Sequence, residues 1–356
     1  MNPSQVVLSR DILNFLLSMN AVSALFAGLF FGVMCVVIAG CTHGHDAGPK
    51  QPESTLEMVQ LLADAYKAQN PQVNPFLNSR RLAMLESMPE PRNPTDRAAR
   101  QLYIAMETLF SGDSESAITK LEALQASVTR NPTGYPPEIA RLVTDLSALA
   151  YLRLGEQQNC ELNHSAASCL LPIQGEGIHQ LTRGSEGAIR LYTQILARDP
   201  ENLQARWLLN VAYMTLGQHP GQVPAQWLIP LPEETPGLLA PFTDIAPQLG
   251  LDVNALSGGS IADDFTGSGF IDILTSSWGL RPADQLRFFV NNGDGTFTDR
   301  TREAGLEGII GGLNMAQADF TNNGFPDVFI MRGAWLGSDG RHPNSLLRNN
   351  GDGTFT

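Results

Sequence analysis

From about Ser54 to Leu216, apolar residues recur three and four positions apart and strand-like alternation is scarce, which predicts a succession of amphipathic helices. From Phe242 to Thr356 the texture changes to short apolar runs such as Ile273-Leu274, Phe288-Phe289-Val290 and Val328-Phe329-Ile330. Gly, Asn and Asp separate these runs, as they do strands joined by tight turns. Seven prolines between Pro220 and Pro247 deny the intervening backbone the N–H groups that a helix needs. Residues 218–241 therefore read as a Pro-rich linker, and the chain as a multidomain protein, α then β, with a helical domain over 54–217 and a strand domain over 242–356. A third texture precedes both: Ala21 to Ala39 is almost wholly apolar, nineteen residues that just span a bilayer at about 1.5 Å each.

No charged residue lies between Asp11 and Asp46, and the apolar run ends in Ile38-Ala39-Gly40-Cys41. That ending resembles the lipobox of bacterial lipoprotein signal peptides, which implies removal of the first forty residues and a lipid on Cys41. The positive flank is only Arg10, beside Asp11, so residues 1–41 also read as an uncleaved signal anchor, with Met19 as an alternative start. Every version exports the remainder, so the expected location is the cell envelope, outside the cytoplasm. Thr42 to Glu53, rich in Gly, Pro and His, reads as a tether in which His43 and His45 are solvated. Of the four cysteines, Cys35 falls in the apolar run and Cys41 at its end; the exported pair, Cys160 and Cys169, reads as a disulfide outside the cytoplasm.

Within the helical domain three stretches share one grammar, a helix ending in Gly followed by a helix with small and large apolar residues at fixed offsets. Gly112 precedes Ala117, Leu121 and Leu124; Ala188, Tyr192, Ile195 and Pro200 repeat the pattern, and Tyr213, Leu216 and Gly217 continue it. These residues, over roughly Asp96 to Gly217, resemble the tetratricopeptide repeat, which implies helix pairs stacked into a concave surface. Gly112 to Ala117 is five positions but Gly155 to Ala188 is 33, so an insertion over 156–184 carries Cys160, His164, Cys169 and His179. A disulfide would tie it down, and a metal site is the alternative.

The strand domain repeats itself. Phe242-Thr243-Asp244 returns at Phe297-Thr298-Asp299, Gly250-Leu251 at Gly305-Leu306 and Asp264 at Asp319, each 55 positions on, while Asn291-Asn292-Gly293-Asp294-Gly295-Thr296-Phe297-Thr298 reappears at Asn349 to Thr356. Such a period suits a four-stranded propeller blade. Each unit holds a nine-residue segment with oxygen-bearing side chains at positions 1, 3, 5 and 9 and Gly at 6. The first is Asp264, Thr266, Ser268, Asp272 and the second Asp319, Thr321, Asn323, Asp327, with the carbonyls of Phe270 and Phe325 at position 7 as further ligands. A hard cation such as calcium needs several oxygens at about 2.4 Å, and a turn at position 6 converges them. Position 12 holds Thr275 or Ile330, where an EF-hand carries Glu. The alternative is a polar turn held by Asp-to-backbone hydrogen bonds, without metal.

These segments resemble the calcium loops of FG-GAP or VCBS repeats, found in integrin-type propellers and in the ASPIC/UnbV group of exported proteins. The resemblance implies tetratricopeptide-like helical repeats followed by a partial β-propeller of two blades, with structural calcium held weakly because each loop keeps two carboxylates. A third unit begins at Phe355 while closed propellers have at least four blades, so the chain is expected to be C-terminally truncated. A net charge of -13 excludes a nucleic-acid footprint. No H-E-x-x-H or G-x-S-x-G occurs, and Gly258-Gly259-Ser260-Ile261-Ala262 only approaches the latter. The expected function is a non-enzymatic, membrane-anchored binding or scaffold protein for protein, peptide or glycan partners. The alternative is a hydrolase or redox enzyme whose site lies in missing blades or at the Cys160/Cys169 insertion.

Overall fold

The structure is a computed structural model that describes residues 51–162, 165, 167, 171–231, 242–253, 255–333, 336 and 340–356. The apolar N-terminal run with Cys41, most of the tether, and His164 and Cys169 of the insertion lie outside the described residues. Residues 52–356 form one compact unit. Among the described residues no helix is long and apolar enough to cross a membrane.

A helical part comes first: α1 (Thr55–Ala68), α2 (Asn78–Ser87), α3 (Pro94–Phe110), α4 (Ser114–Arg130), α5 (Pro137–Glu156), α6 (Arg183–Arg198) and α7 (Leu203–Thr215). Local chemistry sets several starts. Asn93 caps α3 by accepting from Thr95 N with Pro94 in the first turn, Asp113 caps α4 through Ser116 N, and Asn202 caps α7 through Ala205 N. Gly112, at φ 101°, supplies the left-handed residue between α3 and α4. Consecutive helices from α3 to α7 pack on one another around a core that includes Leu102, Leu121, Val143, Tyr151, Tyr192 and Leu209.

Two details depart from the sequence reading. Gly155 does not end its helix: α5 runs through it to Glu156 and continues as a π-helical turn, Gln157–Glu161. The approach of α6 is admitted by Gly184 and Gly187, since a Cβ on Gly184 would lie 2.3 Å from Gly155 N and one on Gly187 would lie 2.3 Å from the Tyr151 ring, whereas a Cβ on Gly155 would meet the His179 ring only at 3.3 Å. The first helix, grouped by its spacing with the helical domain, sends its buried residues Met58 and Leu62 into a second core with Phe265, Phe288, Leu306 and Phe355. Gly308 leaves room for it, since a Cβ there would meet Val59 at 2.8 Å.

That second core belongs to two antiparallel sheets. One has the order β1 (Ser257–Asp263), β2 (Asp272–Ser277), β3 (Arg287–Asn291), β4 (Phe297–Asp299); the other has β5 (Asn314–Ala318), β6 (Asp327–Met331), β7 (Ser345–Leu347). The four- and three-stranded sheets do not close into a ring. Their first strands lie side by side, and Gly258 and Gly259 permit this: Cβ atoms there would fall 2.6 Å from Gly312 O and 3.0 Å from Met315 N. In each sheet the first hairpin closes on an equivalent pair, Asp263 with Asp272 and Ala318 with Asp327, so residues 264–271 and 319–326 are matching hairpin loops.

Candidate metal-binding loops

Both segments singled out by their spacing are hairpin loops, and position 9 of each is the first residue of the second strand, β2 or β6. The carboxylates divide their work in the same way in both. At position 1, Asp264 accepts from Ser268 N at 2.9 Å and Gly269 N at 2.7 Å, while Asp319 accepts from Asn323 N at 2.9 Å and Gly324 N at 2.8 Å. The glycines at position 6, Gly269 at φ 85° and Gly324 at φ 90°, take the left-handed conformation that turns those N–H groups inward. At position 9, Asp272 and Asp327 are completely buried. Asp272 accepts from Thr266 N at 3.1 Å, Thr266 Oγ1 at 3.0 Å and Asn291 N at 2.9 Å; Asp327 accepts from Thr321 N at 2.9 Å and Asn349 N at 2.8 Å.

The first loop brings its side-chain oxygens together in series. Asp264 Oδ1 lies 3.5 Å from Ser268 Oγ, which lies 3.1 Å from Thr266 Oγ1, which lies 3.0 Å from Asp272 Oδ2. Oxygens at about 2.4 Å from a shared cation and roughly 75–95° apart are spaced at about 2.9–3.5 Å, so these successive separations are compatible with adjacent calcium ligands as well as with hydrogen bonds within the turn. Asp264, Thr266, Ser268 and Asp272 would hold the ion, which would supply positive charge between two carboxylates and pin the turn to β2. The second loop fits less well. Asn323 Oδ1 accepts from Phe325 N at 3.0 Å, as Ser268 Oγ does from Phe270 N at 3.3 Å, but Asn323 is also held away by its Nδ2, which donates to Asn349 O at 2.7 Å. Among the described residues no group of three or more His, Cys, Asp or Glu side chains is placed to hold a metal ion.

The residues at position 7 also have a packing role that their spacing did not reveal. The Phe270 ring lies against Gly293, where a Cβ would meet it at 2.8 Å, and the Phe325 ring lies against Gly351 at 2.5 Å. The aromatic ring thus covers the glycine of the Asn-Asn-Gly-Asp-Gly-Thr turn in each unit. Those turns hold themselves: Asp294 accepts from Thr296 N and Oγ1, Asp352 from Thr354 N and Oγ1, and these bonds keep both carboxyls below the usual carboxylate range.

Sequence reasoning missed Asn291 and Asn349, the first residues of the repeated octapeptide. Each donates its backbone N–H to the position 9 carboxylate and its side-chain Nδ2 to the carbonyl before that carboxylate, Ile271 at 3.1 Å or Pro326 at 3.2 Å. Each also accepts from the turn glycine N–H, Gly293 or Gly351, at 2.9 Å. Asn349 makes one more bond, from Nδ2 to Phe265 O at 2.8 Å, and so ties the second unit to the first loop. The exact return of the octapeptide, from Asn291 to Asn349, is the sequence signal that marks them.

In the insertion, Cys160 Sγ lies 3.4 Å from His179 Nε2, and His179 Nδ1 lies 3.0 Å from Ser185 Oγ. Burial holds the His179 imidazole below its usual value. The expected Cys160–Cys169 disulfide has its second member outside the described residues, as does the expected lipid site at Cys41.

Fold and loops together define a tandem of antiparallel sheets, each headed by a loop that buries one carboxylate at the start of its central strand. Over residues 264–330, from position 1 of the first loop to the middle of β6, the chain matches the family model of the FG-GAP-like repeat. No curated protein and no solved structure matches the chain.

Proposed function

We propose that the chain is an extracytoplasmic, membrane-anchored binding or scaffold protein in which tetratricopeptide-like helices offer the partner surface and propeller blades of the ASPIC/UnbV kind carry structural calcium. The observation that carries this reading is the series of four oxygens from Asp264 to Asp272, spaced as adjacent ligands of one cation, at the head of a central strand in an FG-GAP-like repeat. Calcium is structural in this reading, because it would hold a hairpin loop against a sheet that already has its own core. The helical part favours a protein or peptide partner, since helices packed in sequence leave an extended face for recognition.

The test is a calcium titration of the purified full-length chain in detergent, followed by thermal unfolding. A saturable rise in melting temperature with millimolar calcium, lost in Asp264→Asn, supports the reading; an identical response in wild type and variant overturns the calcium assignment. A redox or hydrolytic reading is favoured by one observation, the Cys160–His179–Ser185 contact chain. Stoichiometric zinc or copper in the purified protein, lost on His179→Gln, would select that reading over the scaffold.

A further inference from the structure

We propose that Arg332 and His342 form a binding site for a small oxyanion, of carboxylate or phosphate type, in a cavity where α1 and the segment after it meet both sheets. The cavity, about 40 Å³, is lined by Tyr66, Phe76, Trp278, Arg281, Arg332 and His342 among others, and no Asp or Glu is among the described residues that line it. This stands out in a chain of net charge -13.

Arg332 is 6% exposed. Its guanidinium donates through Nε to Ile310 O at 2.7 Å and through Nη1 to Pro343 O at 3.1 Å and Ser345 Oγ at 2.7 Å, all neutral acceptors. Among the described residues, Nη2 is buried without a hydrogen-bond partner, and so is Nε2 of His342. The nearby carboxylate of Asp284 is already engaged, accepting from Ser277 Oγ, Arg281 N and the Arg281 guanidinium. Among the described residues, Arg332 therefore has no carboxylate facing it. A buried cation without a counter-ion is costly, and a buried donor without an acceptor adds to that cost. Burial brings the Arg332 guanidinium down to about 10, which leaves it cationic at neutral pH. A neutral His342 with its proton on Nε2 supplies a second donor, and two donors match the two oxygens of a carboxylate or one edge of a phosphate. Aromatic walls, with Phe76 and Trp278 packed edge to face at 4.8 Å, lower the local dielectric and strengthen such contacts.

This inference is independent of the calcium reading, because neither loop contributes to the cavity. The experiment is thermal unfolding of the full-length chain in detergent, titrated separately with sodium acetate and sodium phosphate against sodium chloride of equal ionic strength. A specific ligand present at tenfold its Kd is expected to raise the melting temperature by about 2 °C. The proposal requires that this rise saturate, that it vanish in Arg332→Met and that it weaken in His342→Gln. A response to acetate alone assigns the site to planar carboxylates, and a response to both anions extends it to phosphoryl groups. Should Arg332→Met not fold, His342→Gln together with 31P line broadening of inorganic phosphate still decides the matter. The proposal is overturned if neither anion acts differently from chloride, or if the variants respond as the wild type does.

Discussion

Replacing Asp272 by Ala is expected to cost far more than replacing Asp264, although both are carboxylates of one loop. Asp272 is completely buried and accepts from Thr266 N, Thr266 Oγ1 and Asn291 N. Truncation leaves two partly buried backbone N–H groups without acceptors, while the Thr266 hydroxyl can rotate toward another one. At about 1.5 kcal/mol for each stranded N–H, the expected loss is about 3 kcal/mol. Asp264, half-buried, accepts from Ser268 N and Gly269 N through exposed hydrogen bonds, where water replaces the lost acceptor, so its loss is expected to cost about 1 kcal/mol or less. Urea unfolding of both variants in chelator, followed by tryptophan fluorescence, separates this backbone role from any contribution of metal. If the two variants lose equal stability, or if Asp272→Ala loses less than about 1 kcal/mol, the burial argument is wrong.

Three further outcomes follow from the same structure. Asn349→Ala removes a fully buried side chain that bridges the carbonyls of Phe265 and Pro326, and should cost about 2–3 kcal/mol, against about 1 kcal/mol for the more exposed Asn291→Ala, as read by the same unfolding assay. Gly184→Ala would place a Cβ 2.3 Å from the backbone of Gly155 and should destabilise by about 3 kcal/mol, seen as early loss of helical circular dichroism on heating; a neutral substitution would mean that α5 and α6 are not packed this closely. Burial holds the His179 and His342 imidazoles below their usual value, with Arg332 adding to the effect at His342. The unfolded chain therefore binds these protons first, so this contribution to stability is complete above about pH 6.5 and is lost as pH falls below it. Melting temperatures at pH 5.5 and 7.5 should differ less in His179→Gln/His342→Gln than in the wild type, and an unchanged difference refutes the assignment.

Much of this protein is written in short-range sequence. The caps at Asn93, Asp113 and Asn202, the turn at Gly112 and the glycines at position 6 act within a few residues, and a side chain that bonds its own neighbours does so in almost any tertiary setting. The 55-residue return of Asp264 at Asp319 likewise marks two equivalent loops, which the strand pairing makes matching hairpin loops.

Only the tertiary structure decided the rest. That Met58 and Leu62 of α1 pack with Phe288 and Phe355 rather than with the helices, that Gly184 and Gly187 let α6 approach α5 beside Gly155, that Asn349 reaches back to Phe265, and that Arg332 is buried with no carboxylate partner among the described residues all depend on partners tens to hundreds of residues away. An apolar face or a polar side chain specifies that it will be buried or bonded, not by what. That choice is settled by packing among elements that periodicity and spacing describe one at a time.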